Sequence, residues 1–250
     1  MTIAARLRHA VALLWPALLL VAAWQIWIVA AHVPALVAPA PFAVVRELFG
    51  DPGLYASAAA VTAGVAAAGL ALGMSAAIAC ALLVRLTPFA EGLLTGPALL
   101  VQSTPLVAML PLIARIFGYG EASVIAGAAA ITFLPAFVII ATGLRSAPQG
   151  TPDVFVALGA TRIDTLRHLS FPAARPSIFT ALRISAANSI LAAMVAEYLL
   201  GQAGLGHVFA DAQSSLLTAR AWSASLVATA LSVAAFAATR RPEYQPSSVL

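Results

Sequence analysis

A chain of 250 residues with 62% hydrophobic and only 9% charged residues is far from an ordinary soluble domain, in which about a quarter of residues carry charge. The net charge of +4 comes from thirteen basic residues, all of them scattered arginines, which excludes a nucleic-acid patch. With no lysine anywhere, it also excludes a standard GxxxxGK[ST] phosphate loop.

Lipid is the solvent that suits such a chain. A bilayer-spanning helix needs about 20 mostly apolar residues, and six apolar stretches reach or approach that length: Ala10–Ala31, Ser57–Val84, Gly92–Ile113, Ala122–Leu144, Ile178–Leu200 and Trp222–Ala238. Strict alternation is absent, and lipid offers no partner to backbone N–H and C=O groups, so these stretches are predicted helices. The expected fold is all-α: one polytopic membrane domain over residues 1–250, with a polar loop at about 151–176 and a short disordered tail at about 241–250. The lone Cys80 reads as a small buried hydrophobe.

The first stretch follows Arg6 and Arg8 and is longer than the 7–15 residues typical of a signal-peptide apolar region, so it is taken as a helix. The third contains Pro97, Pro105 and Pro111, with Gln102, Ser103 and Thr104 between the first two. Proline frees backbone carbonyls, which are tolerated in a membrane where they line a wet cavity or pack inside protein. The three polar residues therefore either face a translocation path or satisfy their own helix.

With the N-terminus inside, Arg6, Arg8, Arg85, Arg145, Arg162, Arg167, Arg175, Arg183, Arg240 and Arg241 fall on inner segments. Only Arg46, Arg115 and Arg220 fall outside. This bias predicts six helices with both termini cytoplasmic, and it puts the segment between the fourth and fifth helices on the cytoplasmic side.

That segment, TPDVFVALGATRIDTLRHLSFPAARP, is polar and punctuated. Thr151 reads as an N-cap with Pro152 at the first helical position and Asp153 in the first turn. Gly159 reads as the left-handed stop. Thr161 and Asp164 form a looser capping box for a second short helix, which Pro172 is expected to close. Val154, Phe155, Leu158, Ile163, Leu166 and Leu169 add apolar side chains on the water side. Their presence there calls for a cover, unless the segment lies flat at the lipid interface.

The segment resembles the EAA loop of permease subunits from bacterial ABC importers, with Gly159 at the glycine position and Leu169, Phe171 and Pro172 where that family tends to have Ile, Leu and Pro. The segments PLVAMLPLIARIFGYG, TGLRSAP, ALRIS and VAEYLLGQAGLGHVFADAQ are similar to the nitrate, sulfonate, taurine and thiamine-precursor branch, in the family's order. The Glu-Ala-Ala opening is replaced by Asp153-Val154-Phe155. The resemblance implies that Asp153, Phe155, Leu158, Gly159, Ile163, Leu166, Leu169 and Pro172 belong to a loop that docks in a cleft of a separate ATPase. The partners implied are ABC ATPase subunits, a second permease copy, making a homodimer, and a periplasmic solute-binding protein, all at the bacterial inner membrane. ATP and Mg would be bound by the ATPase, with no cofactor in this chain and no enzymatic activity of its own.

In the fifth stretch Asn188 and Ser189 lie near the middle, placed to line the route or to bond a neighbouring helix. Glu197 lies near the outer end, as an interfacial anchor or a gate contact. Gly201–Gly206 lacks the strand and spacing of a dinucleotide fingerprint and reads as an outer turn, followed by His207 and Asp211 as a surface pair rather than metal ligands. An ion-coupled secondary transporter is the competing class, but it calls for inverted repeats and intramembrane acids. An intramembrane hydrolase would need a GxSG or HExxH stretch, which is absent.

Overall fold

The computed structural model describes residues 3–87, 89, 92–93, 106–148 and 150–239. Gln102, Ser103 and Thr104, together with the tail from Arg241 to Leu250, lie outside them. The elements in chain order are α1 (Ile3–Ala30), α2 (Pro41–Gly50), α3 (Pro52–Leu86), α4 (Leu106–Phe117), α5 (Glu121–Gly143), α6 (Thr151–Ala157), α7 (Arg162–Thr165), a π turn (Leu166–Ser170), α8 (Phe171–Leu200), α9 (Leu205–Ser214) and α10 (Thr218–Ala238). No strand occurs among the described residues.

Four helical spans among the described residues are long and apolar enough to cross a bilayer: Pro52–Leu86, Glu121–Gly143, Arg162–Leu200 and Thr218–Ala238. A shorter apolar helix at Leu18–Ala30 falls in the first expected stretch, and another at Val107–Phe117 overlaps the end of the third and runs past Ile113. The chain is an all-α polytopic membrane protein.

The core forms where α3, α5 and α8 pack side by side, and small residues make the approach possible. Gly69 and Gly73, one turn apart on α3, face α5 so closely that a Cβ on Gly69 would sit 2.5 Å from that of Ala128. A Cβ on Gly73 would collide with Thr132. In lipid, where apolar side chains gain nothing by leaving the solvent, this close backbone approach is what holds helices together. Towards one end the seam is filled by Met74, Ala77, Phe137, Ile140, Ala174 and Ala181, and towards the other by Ala66, Leu110, Val124, Ile190, Ala193 and Ala196.

A third cluster joins Tyr55 and Ala58 of α3 to Leu205 and Val208 of α9 and to Ala224 and Ala228 of α10. Beside it, α2 is pinned to α10 by an ion pair between Arg220 Nε and Glu47 Oε1 at 2.8 Å. The Ser223 hydroxyl donates to the Val44 carbonyl at 2.9 Å. Against the other helices α1 is peripheral, touching α10 through Trp24 and Trp222, whose rings lie 4.9 Å apart.

Candidate functional site

The polar segment folds into two short helices joined at a tight corner. Gly150, with φ +80, occupies the cap position of α6, so Thr151 is the first helical residue rather than the expected cap. The left-handed glycine carries the entry turn that a Thr side chain was expected to provide. At the other end Gly159 has φ +70, its N–H donates to Val156 O at 3.0 Å, and the Ala160 N–H donates to Phe155 O at 3.0 Å. Those two bonds are the paired 5→2 and 6→1 closures of a Schellman stop. The next helix opens with a full capping box: Thr161 Oγ1 accepts from Asp164 N at 3.2 Å, and Asp164 Oδ2 accepts from Thr161 N at 3.0 Å.

Pro172 does not close this second helix. The ladder widens over Leu166–Ser170, with the Phe171 N–H donating to the Leu166 carbonyl, and the helix runs on unbroken to Leu200. A five-residue step leaves Pro172 in the first turn of α8, where its missing N–H is tolerated. The corner is therefore rigidly continuous with a membrane span.

It is also tied sideways to α3. Arg162 Nη1 donates to the Leu86 carbonyl at 3.1 Å, satisfying a free C=O at the end of α3, and Arg85 Nε donates to Ser170 Oγ at 3.1 Å. Sequence reading missed both ties, because they join residues more than seventy positions apart.

The corner's side chains divide into two sets. Val156, Leu158 and Ile163 are 73%, 78% and 66% exposed, and Asp153 and Gly159 are exposed beside them. Phe155, Leu166, Leu169 and Pro172 are half-buried, with Leu166 packed against the cluster that contains Ile140 and Ala174. The first set is free to meet a partner, whereas Leu166 joins the corner to the core.

In the membrane region, Asn188 faces a groove of about 520 Å³ between α8 and α10, lined also by Leu191, Met194, Tyr198, Phe209, Ser225, Thr229 and Ser232. Ser189, by contrast, is buried and donates back to Ala186 O at 2.9 Å, so it packs rather than lines.

Glu197 does not lie on this groove, nor is it an interfacial anchor: it is 0% exposed. Its Oε2 accepts from Thr62 Oγ1 at 2.8 Å and from Gly206 N at 2.9 Å, while Thr62 Oγ1 accepts from Leu205 N at 2.9 Å. A carboxylate at the end of a helix needs internal donors once water is gone; the Thr62 hydroxyl and the Gly206 N–H supply two, both to Oε2, while Oε1 is buried without a partner. Gly204 and Gly206 leave room for it, since a Cβ on either would collide with Glu197. The Gly-rich turn is thus moulded around the acid. Thr62, 135 positions away, carries no local signal that would have revealed the pairing.

Arg183, expected on an inner segment, lies inside α8. Its guanidinium carbon sits 3.9 Å from the centroid of the Phe236 ring on α10.

Residues 69–241 match the family model described as binding-protein-dependent transport system inner membrane component. A probable ABC transporter permease protein of Haemophilus influenzae is 28% identical over 210 residues, 84% of this chain and 86% of the relative. The formylaminopyrimidine transport permease protein of Halalkalibacterium halodurans is 29% identical over 191 residues, 76% of each chain. The taurine transport system permease protein of Escherichia coli is 32% identical over 133 residues, 53% of this chain and 48% of the relative.

Proposed function

Because the chain belongs to the binding-protein-dependent transport system inner membrane component family, we propose that this multi-pass ABC transporter permease forms one half of an ATP-driven import pathway. Two copies flank the path, each contributing the groove between α8 and α10. A periplasmic binding protein delivers a small solute at the outer end. Separate ATPase subunits, which bind ATP and Mg, dock at the α6–α7 corner on the cytoplasmic side, where both chain termini also lie. Their closure on ATP pushes the corner, and the helices attached to it swing to open the path outward.

The observation that carries this reading is the corner itself. Apolar side chains at Val156, Leu158 and Ile163 stand exposed around the corner between α6, whose seven residues are too few to span lipid, and the very start of the span that begins at Arg162. Exposed apolar side chains on so rigid a support suit a protein partner. The support is rigid because α7 continues through the π turn into α8 and Arg162 and Arg85 fasten it to α3. A push on the corner therefore reaches two spans at once. The arginine bias towards inner segments supports the same orientation.

The test is site-directed crosslinking in membranes holding the permease with its ATPase, in a Cys80→Ala background. Cysteine introduced as Leu158→Cys or Ile163→Cys should crosslink to the ATPase subunit, and Leu166→Cys, turned to the core, should not. Labelling of Leu158→Cys and Ile163→Cys by lipid-phase reagents, with no ATPase adduct at either, would show an interfacial helix instead.

A further inference from the structure

The two helices that wall the groove run on past its inner lining residues. On α8, Arg183 stands one turn before Ala187, which lines the groove, and residues four apart share a helix face. On α10, Phe236 stands one turn beyond Ser232, another lining residue. The two meet, with the Arg183 guanidinium carbon 3.9 Å from the ring centroid. The pair therefore lies one turn beyond the inner lining residues, where a floor of the groove would be, about 18 Å along α8 from Phe171 at about 1.5 Å per residue.

Arg183 is electrostatically incomplete there. Its Nε is buried without a hydrogen-bond partner, and no carboxylate pairs with it among the described residues. The only acid on α8 is Glu197, fourteen positions away and held by Thr62 and Gly206. The only charged residue on α10 is Arg220, which is held by Glu47. A cation kept inside a membrane span with a ring face as its companion, and with donor capacity to spare, marks a functional position.

The rest of the lining sharpens what Arg183 does. The Ser225 hydroxyl donates to Ala221 O at 3.1 Å and the Thr229 hydroxyl donates to Ser225 O at 2.8 Å. With their protons committed to the helix backbone, both present lone pairs to the groove, and lone pairs repel an anion. Donors for an anionic oxygen are then the Asn188 amide, the Ser232 hydroxyl and the guanidinium of Arg183, the one charged donor, which can present two parallel N–H groups.

We propose that Arg183 is a solute-binding residue of this permease: it takes small oxyanions, or the carboxylate, sulfonate or similar end of a larger solute, at the inner end of the groove, and rests on Phe236 when the groove is empty. The proposal depends on the groove being this chain's half of the pathway, and the test separates the two.

The permease with its ATPase subunits is prepared in lipid nanodiscs, with Cys80→Ala and Ser232→Cys placing one thiol beside the floor. Rates of modification are measured with an anionic methanethiosulfonate carrying a sulfonate and with a cationic one carrying an ammonium group. Arg183→Gln should lower the anionic-to-cationic rate ratio about tenfold, the effect of one unit charge nearby at intermediate dielectric, and Arg183→Lys should restore most of it. Sodium ethanesulfonate should slow the anionic reagent when Arg183 is present and leave the Arg183→Gln protein unaffected. A thiol open to both reagents with a ratio indifferent to Arg183, or no slowing by ethanesulfonate, overturns the proposal and leaves the groove standing as a wet path. A thiol closed to both reagents overturns the path reading, and this proposal with it.

Discussion

Glu197 and Thr62 meet at 2.8 Å across the seam between α8 and α3, and together they hold two consecutive backbone N–H groups, those of Leu205 and Gly206. The start of α9 is thereby fixed to two membrane helices by two hydrogen bonds, and a third joins those helices to each other, in a place from which water is excluded. The acid sets where α9 sits against α3 and α10, and α9 carries Phe209, which lines the groove.

Removing the carboxylate leaves the Gly206 N–H and the Thr62 hydroxyl without their acceptor, and a buried group stripped of its partner costs about 1–3 kcal/mol. Glu197→Ala should lower the thermal midpoint of the purified complex clearly, whereas Glu197→Gln, which keeps an acceptor oxygen, should lower it less. Thr62→Val should resemble Glu197→Ala, and the double variant should lose less than the sum, because the two residues serve one network. Strict additivity in differential scanning fluorimetry would show that the two act independently.

The tie between the corner and α3 is mechanical rather than energetic. Arg162 is exposed, and an exposed charge at a helix end contributes only about 0.3–1 kcal/mol, so Arg162→Ala should accumulate normally and still bind ATPase. Combined with Arg85→Ala it should sever both links to α3 and reduce transport severalfold at unchanged ATPase binding. Equal uptake by the double variant and wild type, measured with the solute of the cognate binding protein in proteoliposomes, would remove α3 from the transmission route.

Gly69 and Gly73 carry the α3–α5 approach. Gly73→Leu places a side chain where even a Cβ collides with Thr132, so the protein should fail to accumulate in membranes. Gly64→Ala on the same helix meets nothing within 4 Å and should accumulate as wild type does. Immunoblots of membrane fractions decide it: normal levels of Gly73→Leu would show that α3 and α5 do not pack through this face.

The four long spans and the corner were legible because their signals are local. Apolar runs about as long as a bilayer is thick, a Thr-x-x-Asp box and a glycine in a polar segment each act within one or two helical turns. Pro172 misled because a proline is a stop signal only if the ladder stays α-helical, and the π turn at Leu166–Ser170 removes that condition. Glu197 was legible as an oddity but not as a clasp, since its partners are Thr62 on another helix and the backbone N–H of Gly206, which leaves no mark in a sequence. Arg183 was counted with the inner arginines for the same reason: the ring of Phe236, fifty-three positions away, is what makes room for it within a span.

The claim that the α6–α7 corner is where ATPase motion enters the membrane is tested most directly at Gly159. Its φ of +70 is a left-handed conformation with open space around the missing Cβ, so a substitution strains the backbone without touching a neighbour. A β-carbon there costs about 1–2 kcal/mol, and Val adds the crowding of its branch. The measurement is the amount of ATPase subunit that copurifies with wild-type and Gly159→Val permease at equal permease levels. The account expects Gly159→Val to insert and accumulate normally while retaining several-fold less ATPase. Full retention, with ATP hydrolysis coupled as in wild type, would contradict it.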